Sequence, residues 1–127
     1  MDGMNVLGSR PDGWWRDRPA AMERLTRRLS ALARDEGIEL TVVFDGRPHE
    51  RVSAAADGIS VGFAPGGPNA ADREIVRLIR ADPEPATIVA VSSDRRLRAS
   101  VKAAGATSVP SGDLIARLAN AAAGEQP

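Results

Sequence analysis

Short apolar segments alternate with amphipathic helical segments along this chain, and this alternation restricts the fold more than any other feature. One apolar segment runs from Ile38 to Phe44 and ends at Asp45-Gly46, which predicts a mostly buried strand. Three further strands are predicted, at residues 59–63, 87–91 and 107–109. Strands separated by helices connect through right-handed crossovers and pair in parallel. We therefore predict an α/β fold, a three-layer sandwich in which helices cover both faces of a mainly parallel sheet.

Four helices are predicted from the spacing of apolar residues and from the residues that begin or end each helix. The first is capped by Asp17 and ends at Gly37, and the second is capped by Asn69. The third begins at about Asp94, and the last is capped by Ser111. The buried face of the second helix is predicted to carry Ile75, Leu78 and Ile79.

The chain has 127 residues, which is the usual size of a single domain. We expect one domain over residues 1–120 and a disordered tail over residues 121–127. Lys and Arg together number 17, as do Asp and Glu, so any nucleic-acid contact must use a local basic patch. The absence of cysteine excludes disulfides, thiolate metal sites and a cysteine nucleophile. No apolar run approaches the roughly 20 residues that cross a bilayer, and we expect a cytoplasmic protein.

Aspartates stand where the predicted strands end. Asp45 ends one strand, Asp94 follows another, and Asp72 lies in the first turn of the helix that leaves a third. Asp2 would end a further strand if one precedes it. Ligands of open α/β sheets collect beyond the carboxyl ends of the strands, so the topology brings all four carboxylates to one edge. Because like charges repel there and hard divalent cations prefer oxygen ligands, we predict an Mg²⁺ or Mn²⁺ site.

Each of these acids also has a structural interpretation, which the sequence leaves open. Asp94 can cap a helix, Asp72 can favour a helix dipole, and Asp45-Gly46 can form an ordinary turn. A structural aspartate of this kind needs no cation.

Residues beside Asp94 are candidates for contact with a nucleic acid. Ser92 and Ser93 either hydrogen-bond a phosphate or simply end a strand. A basic run on the following helix either attracts phosphates or forms a solvated face, and its members are Arg95, Arg96, Arg98 and Lys102. Trp14 and Trp15 either stack on a base or pin their loop to the core.

Four short segments, in chain order, carry a more specific signal. They are Asp2-Gly3-Met4-Asn5-Val6, Val43-Phe44-Asp45-Gly46, Asn69-Ala70-Ala71-Asp72-Arg73-Glu74-Ile75 and Ser92-Ser93-Asp94. Together, and with Trp15-Arg16-Asp17 between the first two, they resemble the NYN domains, specifically the YacP-like branch of the PIN-like nucleases. The resemblance covers nearly the whole chain.

This resemblance implies a PIN-like, Rossmann-like architecture and a metal-dependent endoribonuclease that uses Mg²⁺ or Mn²⁺. It implies metal ligands at Asp2, Asp72 and Asp94, with Asn5 and Asp45 completing or supporting the pocket. The hypothesis that follows is that the metal orients and acidifies an attacking water, so that the product carries a 5′-phosphate. Asn5 would orient a carboxylate or contact the substrate. The RNA would be bound by Ser92, Ser93, Arg95 and Arg96.

Two departures from the family pattern concern the start of the chain and the number of acids. The family places a buried strand before its first motif, but here only Met1 precedes Asp2. We therefore expect that strand to be missing or displaced, and the natural protein to begin several residues upstream. Arg73 and Arg98 stand near positions where related nucleases often carry further acids, which favours one metal over two.

Two other functions remain open from the sequence. One is a catalytically weak RNA-binding or interaction module that keeps the fold without a complete metal site. The other is a phosphate-handling enzyme with Asp45 as nucleophile, although Gly46-Arg47-Pro48 offers no second acid nearby. The sequence identifies neither the RNA substrate nor the oligomeric state, and a homodimer is compatible with it.

Overall fold

The computed structural model describes residues 1–8, 16–67 and 69–125, with side chains up to residue 119. Trp14 and Trp15, for which the sequence leaves base stacking and core packing open, lie outside the described residues. The helices are α1 (Gly3–Gly8), α2 (Arg18–Glu36), α3 (Glu50–Ala54), α4 (Ala70–Ala81), α5 (Arg95–Ala103) and α6 (Ser111–Glu125). The strands are β1 (Thr41–Asp45), β2 (Ser60–Ala64), β3 (Val89–Val91) and β4 (Thr107–Val109).

A two-residue segment at the start of the chain joins two pairs of parallel strands. β1 pairs with β2, with Val43 opposite Gly62, and β3 pairs with β4. The Val43 N–H donates to the Met1 carbonyl oxygen at 2.8 Å. The Asp2 N–H donates to the Val91 carbonyl oxygen at 3.1 Å, so residues 1–2 lie between β1 and β3. Where the family pattern places a strand before the first motif, the structure has a parallel bridge between Asp2 and Val43.

Alternate side chains of β1 pack into two separate cores, one on each face of the sheet. Val42 and Phe44 belong to the core formed with α1, α2, α3 and α6, whereas Val43 belongs to the core formed with α4 and α5. The helical partners in these cores include Leu25, Leu29, Leu114 and Leu118 on the first face and Ile75, Ile79, Leu97 and Val101 on the second. Helices therefore cover both faces of the parallel strands, and the predicted α/β sandwich is confirmed.

The first predicted helix, α2, has the ends that its sequence indicates. Asp17 Oδ1 accepts a hydrogen bond from the Ala20 N–H at 3.1 Å, which satisfies one of the free donors of the first turn. Gly37 follows the last turn with φ of 64° and donates its N–H to the Ala33 carbonyl oxygen. Both predicted ends of this helix are confirmed.

Three short elements differ from the prediction. The sequence pattern does not predict α1, because its 6 residues complete less than two turns. The sequence pattern does not reveal α3, because its 5 residues complete less than two turns and only Val52 among them is buried. β3 begins at Val89 rather than at residue 87, because a 3₁₀ turn over Pro85–Thr87 precedes it.

Two longer helices also differ in detail. Leu78, predicted to face inward, is 38% exposed, whereas Ile75 and Ile79 on the same helix are buried. α6 ends at Glu125, so it continues beyond residue 120, the predicted end of the domain. Among the described helices, none has both the length and the apolar character of a membrane-spanning helix.

Gly3 lies where α1 approaches β1 most closely. A Cβ atom built on Gly3 would overlap the ring of Phe44 and would lie 3.0 Å from the Val42 side chain. Both of these side chains are fully buried, so neither can move into solvent. The glycine of the first motif is therefore required by packing, and it allows α1 to hold the following asparagine beside the sheet.

We expect Gly3→Ala to lower the free energy of unfolding by about 1 to 3 kcal/mol, the usual cost of overfilling a packed core. Gly112→Ala in α6 is the matched control, because a Cβ there meets nothing within 4 Å. That control should be stabilising by about 0.4 to 1 kcal/mol, since alanine restricts the unfolded chain. Urea unfolding measures both changes. Equal stabilities of Gly3→Ala and wild type would contradict the packing argument.

Candidate active site

Four aspartates from distant parts of the sequence meet at the carboxyl edge of the parallel strands. Asp2 ends the bridging segment, Asp45 ends β1, Asp72 lies in the first turn of α4, and Asp94 precedes α5. Asp2 is 5% exposed, and the other three are partly exposed. The predicted gathering of acids at one edge follows from the parallel topology.

Asp2 is held by two donors from different elements. Its Oδ1 accepts from the Asn5 N–H at 3.4 Å, and its Oδ2 accepts from the Ser92 hydroxyl at 3.2 Å. The Ser92 Oγ in turn accepts from the Asp94 N–H at 3.1 Å. Ser92 is 1% exposed, so its position favours an internal role, linking two acids, over the predicted contact with a phosphate.

The Asn5 side chain connects α1 to two other elements. Its Oδ1 accepts from the Ser93 N–H at 2.8 Å and from the Ser111 hydroxyl at 2.7 Å. Ser93 is exposed, and its Oγ accepts from the Ser111 N–H at 3.0 Å. These bonds fix the segment that leads into Asp94 and support the predicted orienting role of Asn5.

Ser111 is a site residue that sequence reasoning missed, because a serine before an apolar helical run was interpreted only as a helix cap. It is fully buried and is the first residue of α6. A signal was available: Ser111 follows β4 just as Ser92 follows β3, and strand ends share one edge in a parallel sheet.

Asp45 caps α4, the helix that carries Asp72. Its Oδ1 accepts from the Ala71 N–H at 3.0 Å, so it satisfies a free donor in the first turn of α4. The prediction that Asn69 caps this helix is wrong: Asn69 has φ of 64° and its side chain makes no cap hydrogen bond. A capping residue usually has an extended backbone, whereas Asn69 is left-handed, and Asp45 from β1 supplies the oxygen instead.

Asp94 acts as a helix cap and remains available as a ligand. Its Oδ1 accepts from the Arg96 N–H at 2.8 Å and from the Leu97 N–H at 3.1 Å, which confirms the structural interpretation. Its Oδ2 has no hydrogen-bond partner in the part of the chain that the structure describes. Because one carboxylate oxygen is free, capping and cation binding are compatible.

The acids affect one another electrostatically. Burial, and after it the charges of Asp2, Asp94 and Asp45 in that order, together raise the pKa of Asp72 from 3.8 to about 6, while Arg96 opposes the shift. Burial also raises the pKa of Asp2, against the hydrogen bonds from Asn5 and Ser92. Because these four carboxylates repel one another, the state in which all four are ionised has an unfavourable free energy.

The donor set suits a hard divalent cation bound partly through water. All candidate ligands are carboxylate oxygens, the ligand type that Mg²⁺ and Mn²⁺ prefer. Among the described residues, however, no group of three or more Asp, Glu or His side chains is arranged closely enough to hold a metal ion directly. Mg²⁺ commonly keeps several waters and uses one or two carboxylates together with substrate phosphates. The residues therefore fit water-mediated binding and do not form a complete protein cage.

The two arginines predicted to bind RNA lie on different sides of α5. Arg96 lines the groove that also contains Asp72, and its charge acts on that carboxylate. Arg95 lines a second groove, with Arg98 and Lys102, on the side of α5 that faces β4. The structure thus brings Arg96, and not Arg95, together with the acids.

We expect Asp72→Asn to stabilise the protein in the absence of metal near neutral pH. Because the pKa of Asp72 rises from 3.8 to about 6 on folding, ionisation costs almost no stability at pH 4, its cost grows between about pH 4 and pH 6, and the full cost is present above pH 6. We expect a gain of about 1 kcal/mol at pH 7.5, after allowing for solvent screening of a half-exposed carboxylate, and almost none at pH 4. Urea unfolding in EDTA at both pH values measures the difference.

Asp113→Asn is the matched control, because Asp113 is an exposed acid in the first turn of α6. It should lose a few tenths of a kcal/mol, since a helix dipole favours the carboxylate. If Asp72→Asn behaves in the same way, Asp72 serves only its helix and the mutual repulsion of the four acids is refuted.

Comparison with known proteins identifies the family and the fold of the chain. The model of the YacP-like NYN domain matches residues 1–126. The crystal structure of Rae1 (YacP) from Bacillus subtilis, carrying a tryptophan-to-leucine substitution, is similar with a TM-score of 0.76 and 23% sequence identity. The alignment covers 94% of this chain and 72% of that chain, and at this identity it shows a shared fold. No curated protein sequence matches the chain. The match over residues 1–126 shows that this chain belongs to the family of YacP-like NYN domains.

Proposed function

We propose that this chain is a metal-dependent endoribonuclease that cleaves RNA phosphodiester bonds at the acidic edge of its sheet. Membership of a ribonuclease family supports the reaction class. The observation that carries the proposal is the convergence of four aspartates, three of which raise the pKa of Asp72 by their charge. A cluster of perturbed acids in an accessible position is typical of a functional site.

The proposed roles follow from the contacts of each residue. Asp2, Asp72 and Asp94 hold Mg²⁺ or Mn²⁺, in part through waters, and Asp45 supports them by fixing the start of α4. When bound, the ion neutralises charge on the phosphate and lowers the pKa of a coordinated water. Asn5 keeps the segment before Asp94 in place through its hydrogen bond from Ser93. The expected products are a 5′-phosphate and a 3′-hydroxyl.

Arg96 has a separate proposed role beside the acids. It is exposed and lies in the same groove as Asp72, so it can attract an RNA phosphate to a site that is otherwise negative. Because the chain as a whole carries no net charge, this local positive charge must provide the attraction.

A catalytically weak RNA-binding module is the second candidate. It is favoured by one observation, that no three acids among the described residues are arranged to hold a metal ion directly. Such a module would keep the fold and the arginines but would not cleave. Metal-dependent cleavage separates the two functions.

We expect purified protein to cut a single-stranded RNA in Mn²⁺ or Mg²⁺ and not in EDTA. Asp72→Asn and Asp94→Asn should each lower the cleavage rate by about 100-fold or more, since lost metal binding removes several kcal/mol of transition-state stabilisation. Asp113→Asn, an exposed acid of another helix, should cleave at the wild-type rate. Gel analysis of labelled RNA measures these rates. Undiminished cleavage in excess EDTA, or full activity of both site variants, would exclude the proposed mechanism.

We also expect Mn²⁺ to raise the melting temperature of wild type far more than that of Asp94→Asn. A cation that binds only the folded state stabilises it by about 2.7 kcal/mol at 100 times its Kd. Asparagine is as good a helix cap as aspartate, so Asp94→Asn should keep the fold while losing a ligand. Thermal melts with and without Mn²⁺ measure the shift. Equal shifts in the two proteins would show that Asp94 does not bind the cation.

A further inference from the structure

A basic groove of about 540 Å³ lies between α4 and α5 and includes a member of the acidic cluster. Asp72 and Asn69 line it near the start of α4, and Arg80 lines it near the end of the same helix. At 1.5 Å per residue, the distance along α4 from Asp72 to Arg80 is about 12 Å. The groove therefore continues from the proposed cleavage site along the surface of the protein.

The groove concentrates positive charge in a chain that has no net charge. Its lining contains four arginines and one aspartate, and the arginines are Arg73, Arg77, Arg80 and Arg96. The first three recur at helical spacing along one face of α4, and the last comes from α5 on the opposite wall. Arg77 pairs with Glu74, whereas Arg80 forms no ion pair within the described residues. Two walls of guanidinium groups suit a chain of phosphates.

The lining between the arginines favours a single strand over a duplex. Val76 is half-buried and contributes apolar surface, which the sugars and exposed bases of a single strand can contact. A duplex keeps its base faces stacked and offers mainly phosphates and groove edges. Asn69 and Ser100 are the uncharged polar members of the lining, so the groove offers few groups that could read a base sequence.

We infer that this groove binds the backbone of single-stranded RNA on one side of the scissile phosphate, so that the strand follows α4. This inference rests on the proposed function for the position of the cut. The second basic groove, between α5 and β4, does not have the same continuity: it contains none of the four acids, and its Arg98 donates to the Ser108 hydroxyl at 3.0 Å. A strand bound there would not pass Asp72.

The test is the binding of a fluorescein-labelled single-stranded RNA in EDTA, followed by fluorescence anisotropy at several KCl concentrations. In Arg77→Gln/Arg80→Gln, we expect roughly tenfold weaker binding at low salt. We also expect the slope of log K against log salt to become shallower by about 1.4, since each lost phosphate contact on a single strand contributes about 0.7. Wild type should bind the single strand more tightly than a duplex of the same sequence.

Arg24→Gln/Arg27→Gln on α2 is the matched control. These two arginines have the same spacing of three residues, and here too one of them, Arg27, pairs with a glutamate of its own helix. The control should retain the affinity and salt slope of wild type. If thermal melts show that the groove variant is unfolded, Arg96→Gln on the opposite wall provides the same test.

Three results would overturn the inference: an unchanged groove variant, an equal loss in the α2 control, or duplex binding as tight as single-strand binding. Cleavage in Mn²⁺ is measured separately on the same proteins. RNA binding that depends on the groove, without cleavage by wild type, would keep this inference and remove the proposed function. Cleavage that depends on Asp72 but not on the groove arginines would keep the proposed function and overturn this inference.

Discussion

The backbone hydrogen bonds of residues 1–2 hold the two halves of the sheet together. Met1 bonds to β1 through its carbonyl oxygen and Asp2 bonds to β3 through its N–H, while the strands on either side pair only within their own halves. The same two residues place Asp2 at the carboxyl edge and begin α1, which carries Asn5. The relation between the two halves, and with it the position of the acids from each half, depends on this segment.

The hydrogen bonds that these acids accept also stabilise the fold. Asp45, at the end of β1, caps α4, and Asp94 caps α5. These two carboxylates, which are proposed to take part in the chemistry, therefore also orient the helices that carry the groove arginines. Replacement of an acid by an amide keeps one acceptor oxygen and therefore separates the two roles, whereas replacement by alanine would remove both. This double use explains why the structural and catalytic interpretations of the aspartates are compatible.

Local patterns in the sequence predict most of the elements, and tertiary contacts decide the rest. α2 could be predicted because Asp17, the leucine spacing and Gly37 all act within one helix, and β1 because its residues are buried on both faces. α3 could not, since 5 residues show no period. The capping of α4 depends on Asp45, 26 residues away in sequence, and the role of Ser111 depends on Asn5, 106 residues away. No local pattern contains such pairings. The sequence does show which residues follow the predicted strands, and residues that follow parallel strands lie at the same edge of the sheet.

The hydrogen bond between Asn5 and Ser111 has a consequence for the folding of the chain. It joins positions 106 residues apart, and the bond between Asp2 and Ser92 joins positions 90 apart. Contacts of such long range form slowly, because most of the chain must be ordered before its ends meet. We therefore expect the acidic edge to be completed late in folding, after α2, whose hydrogen bonds are local. A growing polypeptide lacks its fully assembled centre until residue 111 can dock against the first helix.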